Sequence, residues 1–152
     1  MNVNPYKFTR KELADFYEKL VLLWENGDLI NKKFDVRFGK DYRRIKATYS
    51  FTVRCLDKVS DVEAENQIYN GNKQHNTNYI CFHNVKKNLL KSYFYQLRNI
   101  AAHADFTKQK IFGCNWFVFS HSYKQQLKCY GQIRCKDFWK LRDSLLELKR
   151  KR

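Results

Sequence analysis

Arg98, Asn99 and His103 fall within one short stretch, Tyr95-Gln-Leu-Arg-Asn-Ile-Ala-Ala-His-Ala-Asp-Phe106. A guanidinium grips phosphate through paired N–H groups, and an imidazole moves protons near neutral pH. Together they suit acid–base chemistry on a phosphate ester. Their neighbours are small or apolar, as in a helix built to pack. Asn99 and His103 are four positions apart, so they share a helix face and the amide can orient the imidazole. Arg98 and His103 are five apart, about 140° around an ideal helix. They converge only where the helix ends near His103, or where a second copy of the helix packs alongside. Ala101, Ala102 and Ala104 would allow such close approach. Phe94, Ala101 and Ala102, the helical neighbours of Arg98, are not acidic, so its charge must meet water, a distant carboxylate or an external anion. Basic groups near a helix C-terminus also answer the helix dipole, so a purely structural role accounts for the pair as well.

The charge balance points the same way as the motif. The 152 residues hold 30 Lys and Arg against 15 acids, a net of +15. Between Asn66 and Lys136 there are 11 basic residues and one acid, Asp105, a net of 11 − 1 = +10. Such a field draws in polyanions, nucleic acid above all. A lone carboxylate in that stretch is a poor start for a two-metal nuclease site, which clusters acids. Lys86, Lys87 and Lys91 precede the motif and Lys108 and Lys110 follow it, so these five are candidate phosphate contacts. Tyr95, off the main apolar stripe, is a candidate for stacking on a base.

Several elements must position these residues. Thr9-Arg-Lys-Glu12 is a capping box that should open a first helix, with Leu13, Phe16, Tyr17, Leu20, Leu23 and Trp24 on one face and a stop at Asn26-Gly27. A second helix is expected from about Asp41 to Leu56, and a short one from Ser60 to Tyr69. A long amphipathic helix should run from about Asn84, as cap, to His103 or Asp105. After it the period changes. Phe117, Phe119 and His121 alternate with Trp116, Val118 and Ser120, and Leu127, Cys129, Gly131 and Ile133 alternate with polar residues. That predicts a hairpin over about 115–135, turning near Lys124-Gln125. A final helix over about 136–149 carries Phe138, Leu141, Leu145 and Leu148. The sum is one domain over 1–152, mainly α, a four- to five-helix bundle with a β-hairpin inserted before the C-terminal helix.

Cys114, His121, Cys129 and Cys135 have spacings of seven, eight and six, which match no zinc finger. His75 and His83 read as surface or capping residues. Five cysteines without a CxxC pair, behind the polar opening Met1-Asn-Val-Asn-Pro5, suggest reduced thiols and a cytoplasmic setting. No apolar run approaches the roughly 20 residues of a membrane span.

Arg98-Asn99-Ile-Ala-Ala-His103 resembles the R-N-x-x-x-H signature of the HEPN superfamily, all-helical domains named for higher eukaryotes and prokaryotes nucleotide binding. The resemblance covers the motif and, beyond it, only the expected architecture; the hairpin is extra to the minimal bundle. It implies an endoribonuclease without metal or other cofactor, and a homodimer whose two motif helices share one cleft. By that analogy His103 is the general base or acid for attack of a ribose 2′-hydroxyl on its phosphate, Arg98 steadies the phosphate, and Asn99 orients His103 or contacts the backbone. The products would be a 2′,3′-cyclic phosphate and a 5′-hydroxyl. It further implies a toxin or defence role, with an antitoxin or other regulatory protein as partner. Two other readings stay open: a non-catalytic RNA- or nucleotide-binding module, and a helical interaction partner in a toxin–antitoxin pair.

Overall fold

A computed structural model describes residues 8–26, 39–71, 76–111 and 113–151. Its centre is a five-stranded sheet with strand order β1-β2-β5-β4-β3. The mainly helical bundle expected from the sequence is therefore replaced by an α/β fold. The helices are those of α1 (Arg10–Phe16), a π-helical continuation (Tyr17–Val21), α2 (Leu22–Glu25), α3 (Lys40–Thr48), α4 (Val59–Gly71), α5 (Leu89–Ala102) and α6 (Cys135–Lys151). The strands are β1 (Phe51–Leu56), β2 (Asn78–His83), β3 (Phe106–Ile111), β4 (Cys114–Tyr123) and β5 (Gln126–Arg134).

The expected second helix is where the readings first part. It ends at Thr48, Ser50 takes a left-handed φ of 47°, and the chain continues as β1. Tyr42 and Ile45 hold the helical period, whereas Phe51, Val53 and Cys55 alternate, with Phe51 buried. An apolar run that fits both periods over so few residues is decided by tertiary pairing rather than by propensity. β1 pairs in parallel with β2 through the α4 crossover, with Val53 opposite Ile80. Ile80, Cys81 and Phe82 are wholly buried, which marks β2 as an interior strand covered on both faces.

The expected hairpin is β4–β5. Lys124 and Gln125, at φ 52° and 65°, form a two-residue turn with both residues left-handed, the geometry that matches strand twist. β3 extends the hairpin on the far side of β4, and β5 pairs with β2, so the hairpin is part of the sheet rather than an ornament on a bundle.

Two cores flank the sheet. The larger joins Phe16 and Leu20, Tyr93, Phe94 and Leu97 of α5, and Phe138 and Leu141 of α6 to Ile80, Phe82, Phe117 and Ile133 of the sheet. The smaller sets Val62 of α4 against Cys81 and Tyr130 on the opposite face. α1 opens as its capping box requires: the Glu12 amide donates to Thr9 Oγ1 at 3.0 Å, and the Thr9 amide donates to Glu12 Oε1 at 3.0 Å. Gly27, half of the expected stop, lies outside the described residues, though α2 does end at Glu25.

Candidate functional site

α5 begins at Asn88, not at Asn84. The Asn88 side chain accepts from the Lys91 amide at 3.1 Å, while Asn84 is buried and receives the Ser92 hydroxyl at 2.8 Å. The other end of α5 builds the site. His103 is the C-cap, and Ala104 follows at φ 54°. The Ala104 amide donates to the Ala101 carbonyl at 3.3 Å and the Asp105 amide to the Ile100 carbonyl at 2.9 Å. This is the Schellman pattern, normally completed by glycine. Its left-handed step turns the chain from α5 into β3 and returns Asp105 towards β4, where the Ser120 amide donates to the Asp105 carbonyl at 3.2 Å.

That turn joins two histidines. Asp105 Oδ2 lies 2.7 Å from Nδ1 of His121, a residue 5% exposed on β4. A carboxylate only accepts, so Nδ1 carries the hydrogen and Nε2 is left for proton transfer. His121 sits at a shift of strand register between His121 and Ser122, a bulge of the kind that re-aims a side chain. The His103 ring stacks beside it, centroids 5.4 Å apart and planes 22° from parallel.

Both rings line a cavity of about 440 Å³ that also takes in Arg98 and Asn99. Arg98 donates from one terminal nitrogen to Asn99 Oδ1 at 2.9 Å and from the other to Glu25 Oε1 at 2.8 Å. Its Nε is buried and has no partner among the described residues. Glu25 is thus the distant carboxylate that the helix itself could not supply. Asn99 steadies the arginine through its side chain and meets His103 through its backbone carbonyl, which accepts the His103 amide at 3.0 Å.

The cavity is also lined by His83, Val85, Tyr95, Gln96, Tyr123 and Lys128. Burial first, and then the charge of Lys128, hold the His83 imidazole below its ordinary pKa, against an opposing hydrogen bond to the Asp57 backbone. At the rim, Lys86 Nζ lies 4.4 Å from the Tyr95 ring centroid and 5.6 Å from that of Trp24.

The structure therefore brings Arg98, Asn99, His103 and Tyr95 to one cavity, with Lys86 against Tyr95 at its edge. Lys87 is exposed in the β2–α5 connection, and Lys91 is half-buried in the first turn of α5. Neither lines the cavity. Lys108 is tied to Glu12 at 3.0 Å, and Lys110 is exposed on β3. Among the described residues no group of three or more His, Cys, Asp or Glu side chains is arranged to hold a metal ion. No helix among them is long and apolar enough to cross a membrane. No protein-family model, curated protein or solved structure matches the chain.

Sequence reasoning missed His121, Asp105, Gln96, His83 and Lys128 as site residues. One signal was visible: His121 continues the inward series of Phe117 and Phe119, and a histidine among aromatics on a buried face needs a polar partner. Asp105 is the only acid between Asn66 and Lys136.

Proposed function

We propose that this protein is an endoribonuclease that cleaves RNA by attack of a ribose 2′-hydroxyl on the adjacent phosphate, with protein side chains rather than a metal as acid and base. The observation that carries the reading is the pair of imidazoles, His103 and His121, 5.4 Å apart in a cavity that also presents Arg98. Such a reaction needs one group to take the 2′-hydroxyl proton and another to protonate the departing 5′-oxygen. It also needs a cation for the charge that builds on phosphorus.

The roles follow from the hydrogen bonds. His121 is the base: its Nε2 takes the 2′-hydroxyl proton, and the imidazolium so formed is steadied by the Asp105 carboxylate on Nδ1. The O2′–P bond forms as the P–O5′ bond breaks. His103 delivers its proton to the 5′-oxygen. Arg98, through the free Nε–H and the terminal nitrogens it shares with Asn99 and Glu25, binds the phosphate oxygens. The products are a 2′,3′-cyclic phosphate and a 5′-hydroxyl. Only RNA supplies the nucleophile, and the net charge of +15 favours its capture.

The resemblance of Arg98, Asn99 and His103 to the HEPN motif supports the same chemistry. The analogy reaches the motif only: the fold is α/β rather than all-helical, and on this proposal both histidines come from one chain, so the acid–base pair needs no second copy. Self-association is a separate proposal, as are cytoplasmic residence, a toxin or defence role and an antitoxin-like regulatory partner. Solution mass decides the first of these.

The deciding experiment incubates the purified protein with mixed RNA in EDTA beside His103→Ala, His121→Ala and Arg98→Ala. The expected result is EDTA-resistant cleavage leaving 2′,3′-cyclic phosphate ends, reduced ~10²–10⁴-fold by loss of either histidine. RNA that stays intact with the parent protein overturns the proposal, as does cleavage that survives both histidine substitutions. Binding without cleavage would favour the non-catalytic module.

A further inference from the structure

Gln96 lines the same cavity, and it is 2% exposed. Its Nε2 donates to the His83 backbone carbonyl at 3.3 Å, which fixes the amide, because a carbonyl accepts only from the nitrogen side. Gln96 Oε1 then points away as a buried acceptor, and among the described residues it has no partner. An acceptor left unpaired out of water is costly unless something arrives to fill it. Lys128 also lines the cavity, and its Nζ donates to Gln126 Oε1 at 3.2 Å. An ammonium has donors only, so it calls for an oxygen with partial negative charge. Tyr95 and Val85 add an aromatic and an apolar wall. An aromatic and an apolar side chain beside a few placed polar groups suit a heterocycle.

The pairing of one lone acceptor with one nearby cation is selective among nucleobases. Guanine and uracil carry a lactam edge, a ring N–H beside a keto oxygen. Adenine and cytosine present an unprotonated ring nitrogen where the lactam has its N–H, and that nitrogen would face Gln96 Oε1 lone pair to lone pair. We infer that the part of the cavity lined by Gln96, Lys128, Tyr95 and Val85 is a nucleobase subsite for the lactam edge of guanine or uracil, with Gln96 Oε1 accepting the ring N–H and Lys128 meeting the keto oxygen. The inference rests on the ribonuclease reading for its substrate, and it adds base selection to that reading.

The test uses 3′-nucleoside monophosphates, which bind without being cleaved, titrated into the full chain and followed by calorimetry. The guanine and uracil nucleotides are expected to bind about tenfold more tightly than the adenine and cytosine ones, the scale of one well-made hydrogen bond. Methylation of the ligand removes the donor without touching the protein, so 1-methylguanosine and 3-methyluridine 3′-monophosphates should lose that tenfold. Gln96→Met should flatten the preference among the four bases, and Lys128→Gln should weaken only the keto pair. Equal binding of all four nucleotides overturns the inference, and so does full affinity for the methylated ligands; neither depends on a variant that folds. Base selection by a protein that cleaves nothing would keep this subsite and sink the ribonuclease proposal, whereas cleavage without base selection would do the reverse.

Discussion

Replacing Ala104 with glycine should stabilise this protein, and the sign of the effect discriminates between two folds. Ala104 is exposed, sits between His103 and Asp105, and holds φ at 54°. A non-glycine residue in that region costs roughly 1–2 kcal/mol. Glycine removes the cost and returns about 0.5–1 kcal/mol of it as extra chain entropy in the unfolded state. With no buried methyl to lose, the net is a gain of roughly 0.5–1 kcal/mol. At this chain length ~1 kcal/mol moves the melting temperature by about 2–4 °C. Calorimetric melts of parent and Ala104→Gly measure it directly. If the helix instead continued through residue 104, glycine would cost about 1 kcal/mol relative to alanine. A fall in melting temperature would therefore refute the turn, and with it the route by which Asp105 reaches His121. Ala104→Val supplies the opposite arm, since a β-branched side chain is still less tolerant of positive φ and should lower the melt.

Other perturbations test the remaining supports. On the ribonuclease proposal, Asp105→Asn should lower kcat for RNA cleavage about 10²-fold with KM unchanged, because it weakens the hold on a His121 imidazolium and leaves the proposed phosphate contact of Arg98 in place; an equal rise in KM would mean that Asp105 acts on binding instead. His83 gives a pH signature. Its folded pKa lies below its unfolded value near 6.5, so below about pH 6.5 the unfolded chain takes up a proton that the folded chain refuses. Stability should fall as the pH drops through that value towards the lower folded pKa, and His83→Gln should flatten the melting temperature against pH; an unchanged slope would remove His83 as its source. Gly131→Ala should destabilise by about 3 kcal/mol or more in a denaturant melt, because a Cβ there overlaps the Tyr79 backbone oxygen and stands 2.9 Å from Ile80 Cα, in the middle of the β2–β5 pairing. A near-neutral outcome would put that strand register in question.

Local signals with a single physical solution were readable in the chain. The Thr9 capping box needs only four residues, and the Lys124-Gln125 turn lies where two alternating runs meet. The identity of the sheet was not readable, because its inner strands hide their period. Asn78–His83 is short and apolar on both faces, and a strand buried twice shows no alternation to distinguish it from helix. With β2 hidden, β1 has no visible partner, and Phe51–Leu56 reads as a continuation of the helix before it. The site follows the same division. Arg98, Asn99 and His103 announce themselves by type within six residues. Gln96 and His83 lie in segments that read as packing or loop, and the value of Gln96 depends on Oε1 being left without a partner among the described residues, a property of the packed structure alone.

The five-residue separation of Arg98 and His103 carries a last step of reasoning. On a continuous helix the two side chains diverge by about 140°, and a second copy of the helix is one way to reunite them. The alternative needs no second copy: end the helix between them. α5 stops at Ala102 and His103 becomes its cap, at φ −100° rather than a helical value, while Arg98 stays on the helix; the left-handed Ala104 then redirects the chain beyond it. Both then face one cavity. The same break sends Asp105 to the sheet, where it holds a second imidazole beside the first. A continuous α5 would keep the motif and lose the histidine pair. The spacing is therefore explained by the helix end, and two chains carrying separate His103→Ala and His121→Ala lesions provide the discriminating mixture: a site shared across a dimer can recover activity when they are combined, whereas a site contained in one chain cannot.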